Sequence, residues 1–163
     1  MSVEDVVEKV RSFPTRHVTV TGGEPLAQKG CPELLGILCD MGLDVSLETS
    51  GALDITDVDA RVARIVDVKT PGSGEVQHNH WPNLFVLSPR DEVKFVLTSE
   101  ADYLWAKSIL MERSITTYCP VLFSPAWGQL EADQLAAWVL RDGLSVRVQV
   151  QLHKILWGEA KGR

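Results

Sequence analysis

The chain has 163 residues, with 16 Lys and Arg against 22 Asp and Glu, a net charge of −6 and 45% hydrophobic residues. That length allows one sizeable core but is short for a closed eight-unit barrel, which needs roughly 200 residues or more. No apolar run approaches the roughly 18 residues of a membrane span, the acidic start Met1-Ser2-Val3-Glu4-Asp5 is unlike a secretory signal, and negative charge without a basic run argues against nucleic acid. Taken in order, Ser2-Val3-Glu4-Asp5 fits a capping box, and the helix it opens is predicted to end near Arg11. Residues 17–21 read as a strand. Residues 32–41 read as a helix with Leu34, Leu35, Leu38 and Met41 on one face and Gly42 as its stop. Residues 44–48 form a second strand. Thr56-Asp57-Val58-Asp59 then predicts a short helix to Arg64, and 65–69 a third strand.

A looser segment, 70–91, is rich in Gly, Pro, Asn and His, and segments of that kind are usually functional or mobile. Residues 92–97 predict a fourth strand. Ser99-Glu100-Ala101-Asp102 caps a helix to Arg113, with Ala101, Trp105 and Ile109 inward. Residues 117–123 predict a fifth strand. Residues 130–141 predict a helix with Ala132, Leu135, Trp138 and Val139 inward, closed by Gly143, and 146–152 a sixth strand. Strands joined by helices make a parallel sheet with right-handed crossovers. A partial barrel and a doubly wound sheet both satisfy that order.

The strand ends carry the chemistry. They read Thr21-Gly22-Gly23-Glu24-Pro25, Glu48-Thr49-Ser50-Gly51, Asp67-Val68-Lys69-Thr70-Pro71-Gly72-Ser73-Gly74, Phe123-Ser124-Pro125 and Gln151-Leu152-His153-Lys154. In a parallel sheet these ends share one edge, where α/β proteins bind ligands. Each also has a plainer interpretation. Gly22-Gly23 suits a tight turn, or a backbone left bare for a ligand. Glu48 and Lys69 suit an ion pair between neighbouring strands, or charge-assisted contacts to a ligand. His153 suits a satisfied core histidine. No phosphate-binding glycine loop, dinucleotide fingerprint or nucleophile elbow is present. Cys31, Cys39 and Cys119 are odd in number, widely spaced and set among apolar residues, which predicts reduced thiols in a cytoplasmic protein.

The motifs carry a resemblance. Thr21-Gly22-Gly23-Glu24-Pro25 resembles the GGEP motif of radical S-adenosylmethionine enzymes, and Glu48-Thr49-Ser50-Gly51 follows one unit later. Asp67-Val68-Lys69-Thr70-Pro71-Gly72-Ser73-Gly74-Glu75, Asp91-Glu92-Val93-Lys94-Phe95-Val96 and Val121-Leu122-Phe123-Ser124-Pro125 narrow the match. The tail Gln149-Val150-Gln151-Leu152-His153-Lys154-Ile155-Leu156-Trp157-Gly158 is the most specific piece. Together they resemble the 7-carboxy-7-deazaguanine synthase family of the queuosine pathway over residues 3–158.

That resemblance implies a single domain over 1–163, an incomplete parallel β/α barrel of about six strands. It implies reductive cleavage of S-adenosylmethionine at a [4Fe–4S] cluster held by three cysteines. The 5′-deoxyadenosyl radical then takes a hydrogen from 6-carboxy-5,6,7,8-tetrahydropterin. The ring contracts to 7-carboxy-7-deazaguanine with loss of ammonia, while Mg²⁺ holds the substrate carboxylate. Carried onto this sequence, Gly22, Gly23 and Glu24 hold the methionine end of the cofactor, and Asp67, Val68 and Lys69 line its ribose. Ser124, Pro125, Ala126 and Trp127 flank the adenine, and Thr21, Glu48 and His153 face the pterin. No separate catalytic side chain is expected, since the radical arises on the cofactor. The partners implied are a second copy, in a homodimer, and a reductant such as flavodoxin or ferredoxin, with neither nucleic acid nor membrane.

The sequence also departs from the family. The cluster motif belongs before the GGEP strand, and no cysteine precedes Cys31. Cys31, Cys39 and Cys119 are therefore not the expected cluster ligands. The family's first strand, its cluster loop and its Mg²⁺-binding threonine are expected to be missing, and activity of this chain alone is not expected. Residues 159–163 differ from the family tail. The alternatives are one part of a split enzyme or a non-catalytic module that binds S-adenosylmethionine or a pterin. An unrelated flavodoxin-like domain explains the strands but not the motifs.

Overall fold

The structure is a computed structural model that describes residues 1–158. The first helix, α1 (Val3–Arg11), begins at the expected capping box. The Ser2 hydroxyl accepts from the Asp5 amide at 3.2 Å, and the Asp5 carboxylate accepts from the Ser2 amide at 2.9 Å. Strand β1 (His17–Val20) follows, then α2 (Cys31–Asp40) and β2 (Asp44–Thr49). After them come β3 (Ala63–Asp67), β4 (Glu92–Leu97), α3 (Glu100–Arg113), β5 (Val121–Pro125), α4 (Ala132–Asp142), β6 (Arg147–Val148) and α5 (Leu152–Trp157).

All six strands form one parallel sheet in the order β1-β2-β3-β4-β5-β6. Spatial order equals chain order, so there is no reversal point and the doubly wound alternative is excluded. β1 and β6 do not pair, so the sheet is a partial barrel.

Register assigns the two faces, because paired residues point the same way. Val66 pairs with Val93, Val93 with Val121, and Phe95 with Phe123, all buried beneath helices. One core cluster joins α2 to Val45, Leu47 and Val66, and the other joins α3 and α4 to Val93, Phe95, Leu97, Val121 and Phe123. Each such side chain contributes roughly 1.5–3 kcal/mol by leaving water. The other face carries the paired Thr19 and Ser46, the paired Asp67 and Lys94, and Glu48, which pairs with Ile65. Parallel sheets are usually apolar on both faces. Here one face is largely apolar, and the other mixes these polar side chains with Ile65 and the buried Leu122.

Five sequence expectations change. Residues 56–64 form no helix. The Asp54 side chain accepts from the Thr56 amide at 2.9 Å and the Asp59 side chain from the Arg61 amide at 2.9 Å, and such local bonds compete with helical ones. On α3 the inward face is Tyr103, Ala106, Ile109 and Leu110, and Ala101 is exposed. The fifth strand begins at Val121, because 115–117 form a 3-10 turn ahead of Pro120. The sixth strand shrinks to two paired residues, whose side chains are exposed with no core to bury them. The chain then turns into α5, so His153 sits on a helix and not at a strand end.

Segment 70–91 is folded throughout, in three 3-10 turns. Asn83, buried, accepts from the Ile55 amide and donates to the Gly51 and Leu53 carbonyls. The Arg113 guanidinium lies 4.1 Å above the Trp81 ring. Residues 159–163, expected to differ from the family tail, lie outside the described residues.

Candidate functional site

The turn after β1 runs through Gly22 at φ +103° and Gly23 at φ +54°, conformations that disfavour a side chain. A Cβ at either would meet open space, so only the backbone angle requires glycine there. Glu24 then folds its carboxylate onto the end of β2. It accepts from the Leu26 amide at 3.0 Å, the Thr49 hydroxyl at 2.9 Å, the Ser50 amide at 2.7 Å and the Ser50 hydroxyl. Burial pushes its pKa up, but the bonds from Ser50, Leu26 and Thr49 outweigh it and hold the carboxyl below its usual value. Glu24 thus pins the glycine turn to the next strand.

Thr21, Gly23, Glu48, Asp67 and Lys69 meet, with Lys94, around one cavity of about 120 Å³ at the C-terminal edge of the sheet. Lys69 Nζ bonds Asp67 Oδ2 at 2.8 Å, so the pairing of Lys69 with Glu48 is not the one formed. Among the described residues no hydrogen bond or ion pair engages the side chains of Glu48 or Lys94. Asp67 Oδ1 is buried with no partner. A buried acceptor without a donor is costly, and a ligand hydroxyl or N–H would relieve it. The edge therefore offers an open acceptor, a free carboxylate and a free ammonium within one small cavity. A cavity of that size holds one polar group, with the rest of a ligand lying along the open edge.

Lys69 is held at its backbone too. Its amide donates to Asn79 Oδ1 and its carbonyl accepts from Asn79 Nδ2, both at 2.8 Å. Val68 is buried in the core, with its amide on the Lys94 carbonyl. Ser124, Pro125 and Ala126 are buried at the end of β5, and Trp127 is half exposed. Pro125 and Trp127 line a second cavity of about 300 Å³ with Gln151 and Ile155. Gly22 lines a third, of about 280 Å³, against α1 and α2. His153 is exposed on α5 and lines none of these cavities.

Lys94 was not among the sequence candidates. Its signal was the period-2 pattern of β4, which puts it on the same face as Asp67. The three cysteines are free, buried and separated. Cys31 and Cys39 lie eight residues apart on α2, roughly 12 Å by helical rise, and Cys119 sits in the other core cluster. Burial raises all three thiols, Cys119 to about 11. They do not suit an iron–sulfur cluster, and no other group of three or more His, Cys, Asp or Glu among the described residues suits a metal.

An open, all-parallel partial barrel with polar side chains at its C-terminal edge defines the class, the radical S-adenosylmethionine fold. Two solved structures share it. QueE from Escherichia coli superposes with a TM-score of 0.66 at 19% identity, covering 93% of this chain and 64% of that one. Streptococcus suis SuiB bound to S-adenosylmethionine gives 0.62 at 10% identity, covering 93% and 42%. The curated relatives are nearer in sequence. The 7-carboxy-7-deazaguanine synthase of Chlorobaculum tepidum is 47% identical over 99% of this chain and 76% of its own length. That of Koribacter versatilis is 36% identical over 99% and 79%. The chain belongs to the 7-carboxy-7-deazaguanine synthase family, and it spans about three quarters of these relatives' length. No protein-family model matches it.

Proposed function

We propose that this chain carries the ligand-binding edge of a radical S-adenosylmethionine lyase. The reaction is contraction of 6-carboxy-5,6,7,8-tetrahydropterin to 7-carboxy-7-deazaguanine with loss of ammonia. The observation that carries this reading is the cavity holding the free Glu48 and Lys94 beside the unpartnered Asp67 Oδ1. Asp67 Oδ1 and the Lys69 ammonium suit ribose hydroxyls. The Gly22–Gly23 backbone suits the amino-acid end of S-adenosylmethionine, with Glu24 setting the turn and not touching the ligand. Val68 acts through its backbone position alone. Ser124, Pro125, Ala126 and Trp127 supply a wall for a flat base. Thr21 and Glu48 suit the hydrogen-bonding edge of the pterin, and His153 reaches it only if α5 folds inward. Bound S-adenosylmethionine supplies the hydrogen-abstracting chemistry of the class.

The buried, separated cysteines of this chain do not fit the cluster, and among the described residues no group of three or more His, Cys, Asp or Glu suits a metal ion. That placement favours a second reading for the chain taken alone, a module that binds S-adenosylmethionine or a pterin without turnover. A homodimer is supported by the apolar side chains that β6 and α5 leave exposed, Val148, Val150, Leu152, Ile155, Leu156 and Trp157. A flavodoxin or ferredoxin as electron donor follows from the reaction class. Reduced, buried thiols suit the cytoplasm, and among the described residues no helix is long and apolar enough to cross a membrane.

The test is calorimetric titration of the chain with S-adenosylhomocysteine and with 6-carboxypterin. Saturable binding that Glu48→Ala and Lys94→Met weaken at least tenfold is the expected result. No binding of either ligand would overturn the reading.

A further inference from the structure

Two helices begin with the same Ser-x-x-Asp pattern, and the aspartate does different work in each. In α1, Asp5 turns back to the Ser2 amide and closes an exposed cap. In α3, Ser99 still accepts from the Asp102 amide, at 3.3 Å, but the Asp102 carboxylate leaves its own cap. Oδ2 accepts from the Thr98 amide at 3.0 Å and the Thr98 hydroxyl at 2.7 Å. Oδ1 accepts from the Gly72 amide at 2.8 Å, 30 residues away. Asp102 is 1% exposed. A cap needs no buried charge, since Asp5 does the same work in solvent. Burying a carboxylate is expensive unless its bonds accomplish something that an exposed one would not.

What the buried carboxylate holds is the loop that leaves the ligand edge. Gly72 lies three residues after Lys69, and a Cβ there would run into Thr98 Oγ1 and Asp102 Oδ2. Glycine is therefore required for the loop to dock. The Thr70 hydroxyl donates to the Val96 carbonyl and the Ser73 hydroxyl to the Thr70 carbonyl, which seats the rest of the loop on β4. With Asn79 fixing the Lys69 backbone, Asp102 is the second anchor of this segment.

We propose that Asp102 is a positioning residue, which holds the 70–74 loop so that Asp67 and Lys69 stay aimed at the ligand edge. The inference rests on the reading of that edge as the S-adenosylmethionine site. The experiment compares the wild-type chain, Asp102→Asn, Gly72→Ala and, as the cap-only control, Asp5→Asn. Each is measured at a temperature where it is fully folded, by S-adenosylhomocysteine titration and by amide hydrogen exchange. Loss of one charge-assisted hydrogen bond should speed exchange at Gly72 about tenfold or more in Asp102→Asn. The dissociation constant should rise about tenfold in Asp102→Asn and Gly72→Ala and stay unchanged in Asp5→Asn. If Asp102→Asn does not fold, Gly72→Ala alone decides the matter, because it undocks the loop with the carboxylate intact. Wild-type affinity in a folded Asp102→Asn or Gly72→Ala would overturn the inference while leaving the edge reading intact. No binding by the wild type would overturn that reading and the inference with it.

Discussion

Glu24 and Glu48 stand at the ends of adjacent strands in opposite circumstances. The first spends its oxygens on Leu26, Thr49 and Ser50. The second has no partner among the described residues and faces the cavity. Substitution should therefore separate stability from binding. Glu24→Ala strips the acceptor from four donors, the Leu26 and Ser50 amides and the Thr49 and Ser50 hydroxyls, and should lower unfolding free energy by about 1–3 kcal/mol. Glu48→Ala should change stability by less than about 0.5 kcal/mol and weaken pterin binding at least about tenfold. Chemical denaturation alongside ligand titration checks both, and equal destabilisation by the two would refute the division. The sequence placed both residues on the ligand edge, because strand ends and the GGEP motif are local signals. It did not separate them, since hydrogen bonds from residues 49 and 50 to residue 24 depend on which strands are neighbours.

Between elements, α3 and α4 are joined by Tyr103. Its ring is fully buried, edge-on to Phe123 and 5.3 Å from Trp138. Its hydroxyl donates to the Trp138 carbonyl at 2.9 Å and the Asp142 carboxylate at 2.8 Å. Burial, then Asp142, pushes its pKa up to about 12, so it is a donor throughout the neutral range. Tyr103→Phe keeps the ring and removes the donor that bridges the Asp142 carboxylate and the Trp138 carbonyl, which should cost about 1–2 kcal/mol by thermal or urea unfolding. No loss would mean that water or another donor replaces the hydroxyl. Strands β2 and β4 were legible because their side chains alternate between a buried and a polar face. The burial of Tyr103 and Asp102 was not, because an apolar count along α3 sees neither a hydroxyl nor a carboxylate as an inward residue. Strand β6 failed for a related reason. Its β-branched run promises a strand, but an edge with one neighbour gives it only two paired residues.

For the molecule as a whole, the cysteines make a direct test. All three are buried, their thiols are raised by burial, and they lie on the helix-covered side of the sheet or beneath it. The folded chain should react with a thiol reagent at pH 8 far more slowly than the unfolded chain, and anaerobic iron and sulfide should yield no stoichiometric [4Fe–4S] cluster. A stable cluster with reductive cleavage of S-adenosylmethionine would refute this. Acid supplies the second test, because separate parts of the sheet depend on ionised carboxylates. Asp91, 1% exposed, accepts from the Arg64 amide and guanidinium and from Ser88, and ties the start of β3 to the turn before β4. Burial raises its pKa, but the Arg64 and Ser88 bonds prevail and the net shift is downward. Glu24 and Asp102 are also lowered, by hydrogen bonds that outweigh burial. A carboxyl with a lowered folded pKa binds fewer protons folded than unfolded, so stability rises with pH across the gap. Their contribution is complete above the unfolded values, about 4, and is lost as pH falls through the lower folded ones. Urea midpoints should hardly move from pH 7 to 5 and should fall steeply below about pH 4. Asp91→Asn should cost about 3–5 kcal/mol at pH 7, since it leaves the Arg64 guanidinium buried and unpaired. It should also flatten the acid limb, and a limb as steep as the wild type's would show that Asp91 is not one of the groups that set it.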